Sequence, residues 1–196
     1  MHRIVLPVLA LLATITLLVP NPVQAAPPPP NYVEAKLGGY FPMAGDVDGF
    51  DSGFNGEVVF GRYLAPGFAV EGGLGYFETK GHTPSSLADR KFKVTPLVFS
   101  ILGVAPFGQF EAYGMAGLGV YFVKDEISAP VFGASSGTSD SSADLGLHLG
   151  LGGRYHATGN VFLGLEGKYL WLTTSTFGVD TRLDGATVTV NIGYRF

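Results

Sequence analysis

Few residues of this chain could do chemistry, and most of them fall in polar segments. Asp46-Val47-Asp48-Gly49-Phe50-Asp51 with Glu57 places acids at the first, third and twelfth positions of a calcium-type loop. Phe50 stands at the fifth position and Asp51 at the sixth, where such a loop needs glycine for its turn, so the segment reads as an acidic surface loop. His82, Ser85 and Asp89 share one polar stretch and could supply base, nucleophile and orienter. No strained turn surrounds Ser85, and no catalytic site is expected. His148 alternates with glycines and lies near Arg154, which suits a hydrogen-bonded filler better than a metal ligand; His156 lies close to a turn. The glycines between Leu145 and Gly153 keep the period of a strand and open no helix, so they form no phosphate loop. Without cysteine there are no disulfides and no thiolate metal sites. No cofactor is expected, and a net charge of −4 leaves no basic footprint for nucleic acid.

What remains is a set of charges spaced along apolar segments. The mean hydropathy is +0.29 and only 14% of residues are charged, against about 25% in soluble domains. Past the N-terminus no apolar run approaches the ~18 residues of a spanning helix. In hydrocarbon the backbone must satisfy itself, and only helices and closed barrels do so. A membrane β-barrel is therefore the expected fold.

Residues 1–25 read as a secretory signal: His2 and Arg3 precede an apolar run from Ile4 to Val19, and Val23-Gln24-Ala25 offers a cleavage site after Ala25. Residues 26–31 form a stiff proline-rich spacer. Residues 32–196 are expected to be one domain. Removing Arg3 with the signal leaves 12 less 1, or 11, basic residues against 16 acidic ones.

Apolar alternation predicts strands near 32–41, 54–64, 68–79, 91–104, 110–123, 143–156, 161–173 and 185–196. Tight connections at Ala65-Pro66-Gly67, Pro106-Phe107-Gly108-Gln109 and Ala157-Thr158-Gly159-Asn160 alternate with longer polar ones near 42–53, 80–90, 124–142 and 174–184. The serine-rich stretch from Ser135 to Ser142 reads as a solvated loop tip. The expectation is all-β: an up-and-down antiparallel transmembrane barrel of eight strands in an outer membrane, both termini periplasmic. Val188, Val190, Ile192, Tyr194 and Phe196 fall on one face of the last strand, and Thr187, Thr189, Asn191, Gly193 and Arg195 on the other. Leu145, Leu147, Leu149, Leu151 and Tyr155 alternate likewise against Asp144, His148, Arg154 and glycines. Tyr40, Phe41, Tyr63, Phe68, Tyr76, Phe110, Phe122, Tyr155, Tyr169, Trp171, Tyr194 and Phe196 lie toward strand ends, where two aromatic girdles would sit.

A barrel of eight strands is just wide enough to be filled by side chains. The alternation assigns to the lumen Glu34, Lys36, Glu71, Lys93, Glu111, His148, Arg154, Glu166, Lys168 and Arg195, which must pair because unpaired buried ions are costly. Two strands read less cleanly. Glu57 and Arg62 are an odd number apart and cannot both face inward without a bulge, and Pro96 implies a bulge or a gap in the ladder.

Four segments stand out: Phe50-Asp51-Ser52-Gly53-Phe54, Ala69-Val70-Glu71-Gly72-Gly73-Leu74-Gly75-Tyr76-Phe77, Thr95-Pro96-Leu97 and Ala116-Gly117-Leu118-Gly119-Val120-Tyr121-Phe122. In their order and spacing, over Glu34 to Phe196, they resemble the small outer-membrane barrels related to the OmpA transmembrane domain, OmpX and the opacity proteins. The closing Gly193-Tyr194-Arg195-Phe196 is similar to the signal read by the barrel-assembly machinery, with Tyr194 and Phe196 as its aromatic positions. Gly61-Arg62-Tyr63-Leu64 departs from the family's tendency to Gly-Tyr-Arg-Phe. The resemblance implies a monomer in contact with outer-membrane lipid and lipopolysaccharide, without an enzymatic site and without one shared activity. The leading expectation is a structural scaffold presenting surface loops for interaction or adhesion. A narrow channel for small or apolar molecules is the alternative, and a lipid-modifying enzyme comes third.

Overall fold

A computed structural model describes residues 30–43, 50–82, 89–131, 134–176 and 178–196; among these, the side chains at 82, 89, 127–131, 134–138, 176 and 179 are outside the description. Every regular element is a strand: β1 (Asn31–Pro42), β2 (Phe50–Asp51), β3 (Gly53–Ala65), β4 (Phe68–His82), β5 (Asp89–Phe107), β6 (Phe110–Val131), β7 (Ala134–His156), β8 (Val161–Thr176), β9 (Val179–Arg182) and β10 (Gly185–Arg195). Both β2 and β3 pair with β4, and both β9 and β10 pair with β8. The ten elements are therefore eight antiparallel staves. The first and last join from Tyr32↔Arg195 to Pro42↔Gly185, which closes the cylinder. A closed ladder leaves no strand edge in the membrane.

Short turns and both ends of the barrel share one rim. Gly67 and Gly108 hold φ of 84° and 67° in two of the turns, a region glycine enters without a Cβ clash. In the third, Thr158 Oγ1 accepts the Val161 amide at 3.0 Å. Asn31 lies in β1 and the Pro30 carbonyl accepts the Tyr63 amide, so the end of the expected spacer is already barrel. The signal segment and the calcium-like acids Asp46 and Asp48 lie outside the described residues, as does Ser85.

Leu145, Leu147, Leu149 and Leu151 are exposed on the outer wall, as are Val188, Val190 and Ile192. Between them the inward residues are buried. The Pro96 effect is a gap rather than a bulge. The β4–β5 ladder omits the rungs between Leu74↔Leu97 and Phe77↔Val94 but resumes in the same register, while the β5–β6 ladder runs through Pro96↔Tyr121. Arg62 is exposed and Glu57 is buried, so β3 keeps its alternation with Arg62 outside.

The long connections differ from expectation. Most of 124–142 is not loop: β6 and β7 stay paired to Val131↔Ala134, and Ser135 to Ser142 are rungs of that ladder. Above the membrane no lipid imposes apolar alternation, so polar strands carry no period-two signature. The β7–β8 ladder ends at Gly146↔Leu172, well below the top of β7.

Candidate functional site: a filled lumen

Arg154 on β7 is the centre of the lower lumen. Its guanidinium donates to Glu34 Oε2 at 2.5 Å and Glu71 Oε1 at 2.6 Å, and lies 3.5 Å from Glu111 Oε1. The rings of Tyr113, Tyr32 and Phe162 surround it, with centroids 4.5, 4.6 and 5.1 Å from its central carbon. Such cation–π contacts gain strength when desolvated. Lys36 donates to Glu166 at 2.6 Å and to Glu71 at 3.4 Å. Arg195 donates to Glu111 at 2.9 Å and to the Tyr63 hydroxyl at 2.7 Å. Lys168 completes the set, 2.7 Å from Glu57.

Glu34, Glu57, Glu71, Glu111 and Glu166 thus meet Lys36, Arg154, Lys168 and Arg195: five carboxylates against four cations. Tyrosine hydroxyls of Tyr32, Tyr63 and Tyr113 donate to Glu71, Glu111 and Glu166. Each carboxylate therefore receives charge-assisted bonds, the condition for burying it at bearable cost. Some polar atoms lack a protein partner: Glu34 Oε1 on β1, and Thr189 Oγ1 and the Asn191 amide on adjacent β10.

Of the ten expected lumen residues, Lys93 is misplaced. Its neighbours Phe92 and Val94 are buried, and Lys93 faces the outside, 2.6 Å from Glu126. The reason is a reversal of polarity along the barrel. Toward the loops the lumen is filled by Tyr40, Phe77, Phe92, Val94, Tyr121 and Leu172 among others. There apolar side chains dominate the inside, with the Arg90–Asp125 pair among them, and the lysines are outside. Tyr40 and Tyr63, expected in the girdles, also face inward; Tyr40 donates to the Leu183 carbonyl and Tyr63 to Glu111. Sequence reasoning missed Glu57, Tyr32, Tyr113, Tyr121, Phe92 and Phe162 in the lumen. Extending the alternation from Glu34 to Tyr32, and from Glu111 to Tyr113, would have found two of them.

His148 Nε2 lies 2.8 Å from Ser100 Oγ, across Gly117. A serine beside a histidine is the start of a nucleophile–base pair. Here both are buried, and His148 Nδ1 has no carboxylate to orient it. The pair fills space. No group of metal-binding residues occurs among the described residues. Tyr194 and Phe196 are about half exposed on the outer wall, where another protein could read them.

The fold recurs in solved structures. Neisserial surface protein A superposes with a TM-score of 0.62 at 18% identity, covering 85% of this chain and 97% of that one. The outer membrane protein OprG of Pseudomonas aeruginosa gives 0.60 at 15% identity, covering 89% and 99%. The attachment invasion locus protein Ail of Yersinia pestis gives 0.55 at 18% identity, covering 87% and 100%. No curated protein shows significant sequence similarity to the chain. The family model of the outer membrane protein β-barrel domain matches residues 9–196, the span that includes the whole closed cylinder. An oily wall around paired charges, closed on itself, is what that family builds, and the chain belongs to it as an outer-membrane β-barrel protein.

Proposed function

We propose that this barrel is a closed, monomeric, non-enzymatic scaffold that holds the upper β6–β7 hairpin outside the cell as an attachment surface. One observation carries the reading. Above Phe122↔Ala143, the last apolar aromatic rung of β6, nine further rungs run from Val123↔Ser142 to Val131↔Ala134. At ~3.4 Å per residue this ladder extends about 30 Å. Among the described residues its β7 side has no backbone partner above Gly146, and Ser142 and Asp144 are tied only by side-chain bonds to Thr174, so from Ser141 upward it offers an edge to which an extended segment of another protein can add. Barrel-assembly machinery reading Tyr194 and Phe196 would bring the chain to the membrane, where lipid and lipopolysaccharide surround it.

Excising residues 127–138 and closing β6 to β7 with a two-residue turn tests this. The trimmed barrel is expected to keep its heat-dependent shift in gel mobility while cells displaying it lose adherence to protein-coated surfaces. Unchanged adherence beside a folded barrel would reject the attachment reading.

A second reading, passage of apolar molecules, draws on a groove of about 420 Å³ on the outer wall where β7 and β8 part, bordered by Leu145, Leu147, Trp171 and Leu172. Leu172, at its inner border, is buried and packs in the apolar core of the upper lumen, which favours the closed scaffold. Faster uptake of long-chain alkanes by cells expressing the barrel, abolished by Leu147→Asp, would favour passage instead.

A further inference from the structure

Four of the chain's six lysines lie in one sector of the outer wall: Lys80 on β4, Lys91 and Lys93 on β5, and Lys124 on β6. The register sets them face to face. Lys80 is directly opposite Lys91, and Lys93 is directly opposite Lys124. Like charges directly opposed across strands destabilise a sheet, so this arrangement works against folding unless something anionic is near. Three carboxylates partly answer it, one of them the exposed Asp51 directly opposite Lys80 on β2. Glu78 pairs with Lys91 at 2.7 Å, and Glu126 is shared by Lys93 at 2.6 Å and Lys124 at 2.8 Å. Four cations less three anions leave +1 on a protein whose formal charge is −4. Lys80 is exposed and faces Asp51 across the β2–β4 ladder. Hydrogen bonds from Lys124 and Lys93 hold the Glu126 carboxyl down to about 2, and those from Lys91 and Tyr76 lower Glu78. Glu78 and Glu126 therefore stay charged across neutral pH.

Height fixes what the patch faces. Immediately below it the outward residues are Tyr76, Thr95 and Phe122, and below those Leu74, Leu97 and Val120. On β4 and β6 the outer wall changes from apolar through aromatic to charged at the same level, and on β5 from apolar through Thr95 to charged. Aromatic side chains mark the headgroup boundary of a membrane, so the four ammonium groups lie at the headgroups of the outer leaflet. The same level of β7 carries Ser141 and Ser139 instead. The cationic sector is confined to β4–β6.

We infer that Lys80, Lys91, Lys93 and Lys124 form a docking site for a phosphorylated lipid headgroup of the outer leaflet, each opposed lysine pair clasping one phosphate while the acyl chains lie along Leu74, Leu97 and Leu118. Basic clusters beside a membrane bind anionic headgroups in this way. The phosphates relieve the cross-strand repulsion, so lipid and barrel stabilise each other.

The test is native mass spectrometry of the detergent-solubilised full barrel with bisphosphorylated lipid A, and separately with the same lipid after enzymatic removal of both phosphates. The barrel is expected to retain the phosphorylated form at least about tenfold more tightly, and to lose that preference in K80Q/K91Q/K93Q/K124Q and at 0.5 M salt. E78Q/E126Q, which removes two of the three competing carboxylates, is expected to bind more tightly than the parent, and Arg62→Gln at the opposite rim to bind equally. The gain in E78Q/E126Q keeps the idea testable should the fourfold variant fold poorly. Equal retention of both lipids, or E78Q/E126Q binding no tighter than the parent, would overturn the site.

Discussion

Arg154 shows why a buried charge can be necessary without being a source of net stability. Its three carboxylate neighbours, Glu34, Glu71 and Glu111, keep other partners only in part, since among the described residues Glu34 is ion-paired with Arg154 alone. Removing one member of a buried network leaves uncompensated ions and costs about 3–5 kcal/mol. Arg154→Met is expected to lose that much in urea unfolding from lipid vesicles. A loss below about 1 kcal/mol would mean that solvent reaches the network. Thr189 gives the opposite expectation. Its buried hydroxyl has no partner, so Thr189→Val, which keeps the shape, is expected to be neutral or slightly stabilising in the same assay. Loss of more than about 1 kcal/mol would reveal a bond that the hydroxyl makes. Residue identities made nine of the ten lumen positions legible, because an ion in mid-membrane has nowhere else to go. Aromatic residues carry no such signal. Tyr32 and Tyr113 fit a lumen or a girdle equally well, and only their step of two from a carboxylate decides between them.

At the scale of strands, the interior depends on rows that run across three staves. Ser100 on β5, Gly117 on β6 and His148 on β7 form one such row. A Cβ on Gly117 would sit 2.3 Å from the Phe99 carbonyl oxygen and 2.4 Å from His148 Nε2. The histidine reaches the serine only because the residue between them has no side chain. Gly117→Ala is expected to break that bond and destabilise the barrel by about 1–3 kcal/mol through overpacking, whereas Gly72→Ala, where a Cβ meets nothing within 4 Å, should fold like the parent. Equal melting temperatures for the two variants would show that the row is not tightly packed. The membrane-spanning parts of the strands were legible because lipid on one side and ions on the other force period two. The upper parts were not. From Val123 upward β6 leaves the lipid, and its pairing with β7 rests on backbone bonds that any polar sequence can make. The same change of solvent misled the placement of Lys93. Inside the membrane a lysine on a strand belongs in the lumen, but at the headgroups it belongs outside.

For the molecule as a whole, the two fillings of the lumen act in series. Near the periplasmic rim the channel is crossed by the ion-pair network around Arg154; near the loops it is crossed by Tyr40, Phe77, Phe92 and Tyr121. An ion entering from outside must first shed water against aromatic side chains and then displace an ammonium or guanidinium from its carboxylates. On the closed-scaffold reading each layer blocks passage by itself, so breaching one leaves the other in place. The parent barrel in planar lipid bilayers is expected to show no large, stable conductance steps. F92A/Y121A, which empties the aromatic layer, and R154M, which loosens the ionic one, should each stay closed. Only the combination is expected to conduct. The control is the heat-dependent gel shift, which separates a folded, open barrel from one that never formed. Large steps from the parent itself, or full conductance from F92A/Y121A alone, would show that the ionic layer yields to passing ions, and the closed-scaffold reading would give way to transport.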